Sequence, residues 1–181
     1  LGFLRWLVQK GKQPDYLTET DLEVLNGDTL AARYHLVVFG GHTEYVTPRE
    51  FDAIERYRFL GGNLMFLSAD NFFWKVQRRG DVLTRTRKWR DLDRPESALI
   101  GVQYRANDNG RQQRPFIVRA ADTVPWLFAG TDLTNGALLG QELGGYGIEI
   151  DETTPASPPG TTVLAEIPDL FGPGLTAQMT Y

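Results

Sequence analysis

The dipeptide Gly40-Gly41 constrains the fold of this chain more than any other feature. It follows the apolar run Leu36-Val37-Val38-Phe39. It precedes Thr47-Pro48-Arg49-Glu50, which places an N-cap, a proline at the first helical position and a glutamate at the third. A solvent loop rarely needs two glycines directly after a buried strand. Strand, glycine turn and helix in that order belong to open α/β sheets, where ligands sit beyond the carboxyl ends of the strands. The turn carries His42 and Glu44, spaced by two, so an extended loop aims both side chains the same way. Such a pair suits a metal ligand, a general base or a hydrogen-bonded couple, although an acid and a histidine in a loop are usually just solvated.

The flanking pattern repeats the alternation. Leu1, Leu4, Leu7 and Val8 form an apolar stripe at helical spacing, predicting a helix to Lys10 that stops at Gly11. Asp15-Tyr16-Leu17 reads as a short strand, and Thr20-Asp21-Leu22-Glu23 has capping-box spacing for a short helix. Tyr34 to Phe39 reads as a parallel strand covered on both faces. Phe51, Ile54 and Tyr57 supply the stripe of the next helix, ended by Gly61-Gly62, and Asn63 to Ser68 is the next buried strand. The polar turn Ser68-Ala69-Asp70-Asn71 follows. If the two apolar strands are neighbours, Asn71 lies near His42 and Glu44, while Asp70 and Asn71 also suit simple turn formers. Tyr45, adjacent to Glu44, is expected to point away from it.

The second half reads as β-rich. Lys75 to Arg90 predicts a hairpin turning at Gly80-Asp81, with seven Lys or Arg against one Asp. Basic residues between two tryptophans can mark a nucleic-acid surface. On a net-acidic domain they read better as a solvated face protecting an edge strand, so nucleic acid is not the expected partner. Ala98 to Tyr104, Pro115 to Val118, Gly144 to Asp151, Thr162 to Ala165 and Leu175 to Tyr181 read as extended. Thr123 to Phe128 reads as an apolar segment without regular structure. The expected organisation is one domain over 1–181: an α/β core at 1–74, a basic hairpin and insertion at 75–120, and a β-rich part at 121–181. The uncapped first helix and the abruptly ending last strand suggest a piece of a longer polypeptide.

Composition narrows the chemistry. The 181 residues suffice for a real core, 41% are hydrophobic, and the formal charge is −4. No apolar run approaches the ~18 residues of a membrane span and no signal peptide is visible, so no membrane association and a cytoplasmic location are expected. Zero cysteines exclude disulfides, thiolate metal sites and a cysteine nucleophile. The G-x-S-x-G elbow and the phosphate-loop motifs are absent. Of the two histidines, His35 begins a strand and reads as structural. An oxygen-rich metal site remains open, with Glu44 as a ligand and His42 as an orienting group or base.

Phe3-Leu4-Arg5-Trp6-Leu7, Thr18-Glu19-Thr20-Asp21-Leu22, Gly41-His42-Thr43-Glu44-Tyr45, Gly61 to Leu67 and Asn71-Phe72-Phe73-Trp74 occur in an order that resembles the C-terminal domain of the large (beta) subunit of N,N-dimethylformamidase and its relatives. Leu127 to Thr131, Gly145 to Asp151 and Met179-Thr180-Tyr181 extend the resemblance across the chain. It implies a flavodoxin-like or class I glutamine-amidotransferase-like parallel sheet with helices on both faces. It also implies hydrolysis of a small amide to acid plus amine, and an iron held by tyrosines and a glutamate. Glu44 matches the glutamate ligand, His42 the catalytic histidine and Asn71 a site-lining asparagine. The tyrosine ligands are expected upstream of Leu1. The family commonly has His-Pro-Glu-Tyr-Trp where this chain has His42-Thr43-Glu44-Tyr45-Val46, and glycines where it has Ser68-Ala69-Asp70. The resemblance further implies a homo-oligomer or part of a larger multi-domain subunit. The alternative is a non-catalytic amidotransferase-like domain for ligand binding or scaffolding.

Overall fold

The structure is a computed structural model that describes residues 2–181; Leu1, expected at the head of the first stripe, lies outside the described residues. The chain divides into two compact units, one ending at Trp89 and one spanning Arg90–Tyr181.

The first unit begins with α1 (Gly2–Gln9), which none of its own residues buries, and which ends as expected at Gly11 with φ +65°. Helix α2 (Glu19–Val24) is short. Its capping box uses Thr18 and Asp21 rather than Thr20 and Glu23, because the Thr18 side chain reaches the Asp21 amide and Asp21 returns to Thr18. Asp15–Leu17 forms no strand, since no partner strand meets its backbone among the described residues. A helix the pattern did not announce follows, α3 (Gly27–Arg33), capped by Asn26, whose Oδ1 accepts the Thr29 amide at 2.8 Å. Gly27 is required there by close approach: a Cβ would lie 2.6 Å from the Ala53 carbonyl oxygen.

Strand β1 (Leu36–Phe39) is followed by β2 (Tyr45–Val46) and α4 (Pro48–Phe59). The α4 cap is the expected one: Thr47 and Glu50 form the capping box, Pro48 opens the helix, and Phe51, Ile54 and Tyr57 are buried. Strand β3 (Asn63–Phe66) pairs in parallel with β1, Leu36 opposite Asn63 through Phe39 opposite Phe66. The two apolar strands are therefore neighbours. They are not covered on both faces, however: Leu36 and Met65 remain 46% and 41% exposed, because no second layer covers that face among the described residues. The other side packs on an aromatic cluster. Phe39 and Phe66 stack at 4.6 Å, and Phe72 meets each of them edge-on at 5.6 and 5.7 Å. Fully burying a side chain such as Phe72 contributes roughly 1.5–3 kcal/mol.

The expected hairpin is formed by β4 (Trp74–Arg79) and β5 (Val82–Lys88), with β2 parallel on the other side of β4. Two of its cations lie over aromatic rings: the Arg85 guanidinium sits 4.4 Å from the Trp74 centroid and the Lys88 ammonium 5.0 Å from that of Phe73.

In the second unit Ala98 to Ile100 belongs to α5 (Glu96–Ile100), not to a strand; Gly101 at φ +89° ends the helix and β6 (Gln103–Asn107) follows. The buried Glu96 carboxylate accepts from both Nε and Nη2 of Arg90, and Nη2 also reaches the Tyr104 carbonyl at 3.0 Å. After β7 (Phe116–Val118), Thr123–Phe128 is not irregular throughout: Pro125–Phe128 makes one turn of helix, α6. Strands β8 (Leu138–Leu139), β9 (Glu149–Glu152), β10 (Val163–Ile167) and β11 (Ala177–Thr180) complete the unit. They form an antiparallel sheet ordered β11-β10-β7-β8 and an antiparallel pair of β6 and β9. Phe116, Tyr146, Ile150, Ile167 and Leu170 make its core. The whole is a mixed α/β protein with several small sheets. No described helix is long and apolar enough to cross a membrane.

Candidate functional site

The parallel pairing of β1 and β3 brings two loops to the same end of the strands, Gly40–Glu44 and Ser68–Phe73. Hydrogen bonds lock one onto the other. Leu67 N–H donates to the Phe39 carbonyl at 3.1 Å, Phe72 N–H to the Thr43 carbonyl at 2.7 Å, and Trp74 N–H to the Glu44 carbonyl at 2.8 Å. Ser68 Oγ donates to the Gly41 carbonyl at 3.0 Å.

Asn71 is the centre of this lacing. Its side chain is buried, its Oδ1 accepts the Thr43 amide at 3.2 Å, and its Nδ2 donates to the Ser68 carbonyl. The structure thus brings Asn71 against the residue between His42 and Glu44, where the strand order placed it. Its neighbours Asp70 and Phe72 both hold positive φ, +55° and +59°. Left-handed backbone at an aromatic residue costs about 1–3 kcal/mol and persists only where the surroundings enforce it. Here the aromatic cluster beneath and the laced loops do so.

Above this rigid floor His42 is 44% exposed at its side chain, and its Nε2 lies 3.8 Å from Oδ2 of Asp70, whose side chain is only 5% exposed. Within its unit the imidazole therefore faces Asp70 across the two loops. Sequence alone treated Asp70 as a turn former, because nothing local marks a carboxylate that meets a histidine 28 residues away.

Glu44 is half-buried, and the charges of its carboxylate and of the Arg85 guanidinium both act on the Tyr45 hydroxyl. Burial pushes the Tyr45 hydroxyl above the usual tyrosine range, the Glu44 charge pushes it further, and Arg85 opposes them.

Two cavities flank these loops in the first unit. A broad apolar groove of about 940 Å³ runs along β1, past Trp6, Tyr16, Leu36, Phe39 and Met65, and reaches Gly41, Thr43 and Phe72. A smaller polar cavity of about 190 Å³ lies between α2 and the start of α4, lined by Glu19, Glu23, Tyr45, Thr47, Glu50 and Arg78. Glu50, legible in the sequence only as a cap, is buried there and its carboxyl is pushed up to about 7. Burial is the main cause, opposed by the Thr47 amide and reinforced by the Glu23 and Glu19 charges.

Residues 1–181 match a family model described as N,N-dimethylformamidase beta subunit-like, C-terminal. The chain is similar to the N,N-dimethylformamidase beta subunit of Alcaligenes sp, at 27% identity over 198 residues covering 91% of this chain and 26% of that protein. It has the same identity and coverage with the N,N-dimethylformamidase beta subunit of Paracoccus aminophilus. The chain spans about a quarter of the length of these two relatives.

Proposed function

Because this chain belongs to the N,N-dimethylformamidase beta subunit-like C-terminal family, we propose that it contributes to an amide hydrolase that cleaves a small amide to acid plus amine. The observation that carries the reading is the pair of strand-end loops. His42 and Glu44 remain within reach of solvent, while Asp70, Asn71 and Phe72 beneath them are buried and fixed. A reacting group needs access on one side and rigid support on the other.

His42 acts as the base. It takes the proton of the attacking water and gives it to the amide nitrogen as the carbon–nitrogen bond breaks, so that the leaving group departs as the neutral amine. Asn71 holds the backbone between His42 and Glu44 in place through Thr43. Glu44 is a half-buried hard carboxylate donor, so its chemistry fits an iron ion. Glu44 would be one ligand of a larger set. Iron bound there would supply a Lewis acid for the amide carbonyl. N,N-dimethylformamide is the first substrate to try, by the names of the relatives.

The same reading sets β1 and β3 within a larger flavodoxin-like or amidotransferase-like parallel sheet. Their parallel register and the exposure of Leu36 and Met65 support it, since parallel strands are ordinarily covered on both faces. It further makes the chain part of a larger cytoplasmic subunit, in keeping with its coverage of a quarter of each relative.

Elemental analysis and amide assays of the full-length protein and its Glu44→Ala variant test the proposal. Stoichiometric iron and amine release in the parent, both lost in a folded variant, are the expected result. Full iron occupancy in Glu44→Ala would remove Glu44 from the metal, and a parent inert toward small amides would end the hydrolase reading.

A further inference from the structure

We infer that Asp70 is a positioning residue for His42, holding the imidazole by its Nε2 so that Nδ1 is the atom presented to the substrate water. The inference rests on the reading of His42 as the base.

Three observations carry it. The Oδ2 atom of Asp70 faces His42 Nε2 at 3.8 Å, within ion-pair reach. That separation is longer than a hydrogen bond, as contacts in substrate-free sites commonly are before they tighten. The Asp70 side chain is buried whereas His42 is open, so the carboxylate meets the ring from the protein side. A carboxylate with little water around it interacts more strongly with what remains beside it. Finally, the backbone fixes this carboxylate independently of the histidine. Asp70 sits at φ +55° between Ser68 and Asn71, whose side chains are hydrogen-bonded to the Gly40–Glu44 loop, and the adjoining Phe72 is wedged into the aromatic cluster. The loop bearing His42 and the turn bearing Asp70 thus move as one body.

The consequence concerns one proton. In a neutral imidazole one nitrogen carries the hydrogen and the other the lone pair, and the partner of one nitrogen decides the role of the other. An acceptor on Nε2 keeps the hydrogen there and leaves the lone pair on Nδ1. It also limits rotation of a ring that is otherwise half in solvent. Asn in place of Asp70 tolerates the left-handed backbone and removes the charge, so the turn persists without its acceptor.

The test compares Asp70→Asn, His42→Gln and the double variant in the full-length protein, with N,N-dimethylformamide as probe. Asp70→Asn is expected to lower kcat about ten- to hundred-fold with KM little changed. In the His42→Gln background it should cost nothing more, because Asp70 acts through His42. A kcat that survives Asp70→Asn while His42→Gln abolishes turnover overturns the inference. So does an equal loss in both backgrounds, the mark of a merely structural residue. Retained activity in His42→Gln would instead retire the assignment of the base. The pair is then decided by the imidazole nitrogen shifts of the neutral ring: proton on Nε2 in the parent and a tautomer mixture in Asp70→Asn support it, and identical shifts overturn it. If the asparagine variant does not fold, Asp70→Gly, which also accepts φ +55°, takes its place in every arm.

Discussion

The Asn71 side chain ties the two strand-end loops together, its Oδ1 accepting the Thr43 amide at 3.2 Å while its Nδ2 donates to the Ser68 carbonyl. It adds to the backbone bonds that carry on past Phe39 and Phe66, where the β1–β3 pairing ends, from the Phe72 and Trp74 amides to the Thr43 and Glu44 carbonyls. Replacing Asn71 by alanine leaves buried backbone groups unmatched and should cost about 1–3 kcal/mol. Ser68→Ala removes one hydroxyl hydrogen, shared between the Gly41 carbonyl and Asn71 Oδ1, and should cost only about 0.5–1.5 kcal/mol. Urea unfolding of both variants checks the order; equal losses would show that Asn71 is not the principal tie.

Glu50 should make stability fall with rising pH. Its carboxyl is raised from 4.5 to about 7, so the protonated form favours folding. This contribution is complete below the unfolded value and is lost as pH rises through about 7. Its size is at most about 3 kcal/mol. Glu50→Gln keeps an oxygen for the Thr47 amide and cannot ionise. Melting temperatures between about pH 5 and 8 should fall in the parent and stay flatter in the variant; parallel curves would place the pH response elsewhere.

Gly27 lies where α3 presses on α4. An added Cβ would sit 2.5 Å from the Arg56 Cβ and 2.6 Å from the Ala53 carbonyl oxygen and the Tyr57 nitrogen. Backbone atoms of a helix cannot step aside as a side chain can. Gly27→Ala should therefore destabilise by about 1–3 kcal/mol despite alanine's better helix propensity. A stabilised variant in thermal unfolding would mean that α3 docks differently.

In the second unit Arg90 is the counter-ion of a fully buried carboxylate, Glu96. Arg90→Met should cost about 3–5 kcal/mol by stranding that charge. The double variant Arg90→Met, Glu96→Leu should recover much of the loss, since no buried charge then remains. Chemical denaturation of the three proteins distinguishes this from a simple loss of packing.

Local chemistry made parts of this protein legible in advance. The Thr47-Pro48-Arg49-Glu50 cap, the stripe of Phe51, Ile54 and Tyr57, and the Gly80-Asp81 hairpin each depend on residues close in sequence, and each stands as expected. The sequence marked both apolar strands and left their adjacency as a condition, which the parallel pairing of β1 and β3 meets. Errors gathered where weak local signals compete. The box expected at Thr20 and Glu23 lies at Thr18 and Asp21, and the strand expected over Ala98 to Tyr104 is split by Gly101 into the end of a short helix and the start of β6.

His42, Glu44 and Asn71 could be singled out from the sequence as residues at strand ends, but their surroundings could not. Asp70 meets His42 only because β1 and β3 align. The raised pKa of Glu50 arises from burial between α2 and α4, which no spacing encodes. Sequence by itself determined which side chains stand at the ends of the strands, since helix caps and hydrophobic runs are short-range. Tertiary structure alone decided which of them meet, because an ion pair or a desolvated carboxylate depends on distances between segments far apart in the chain.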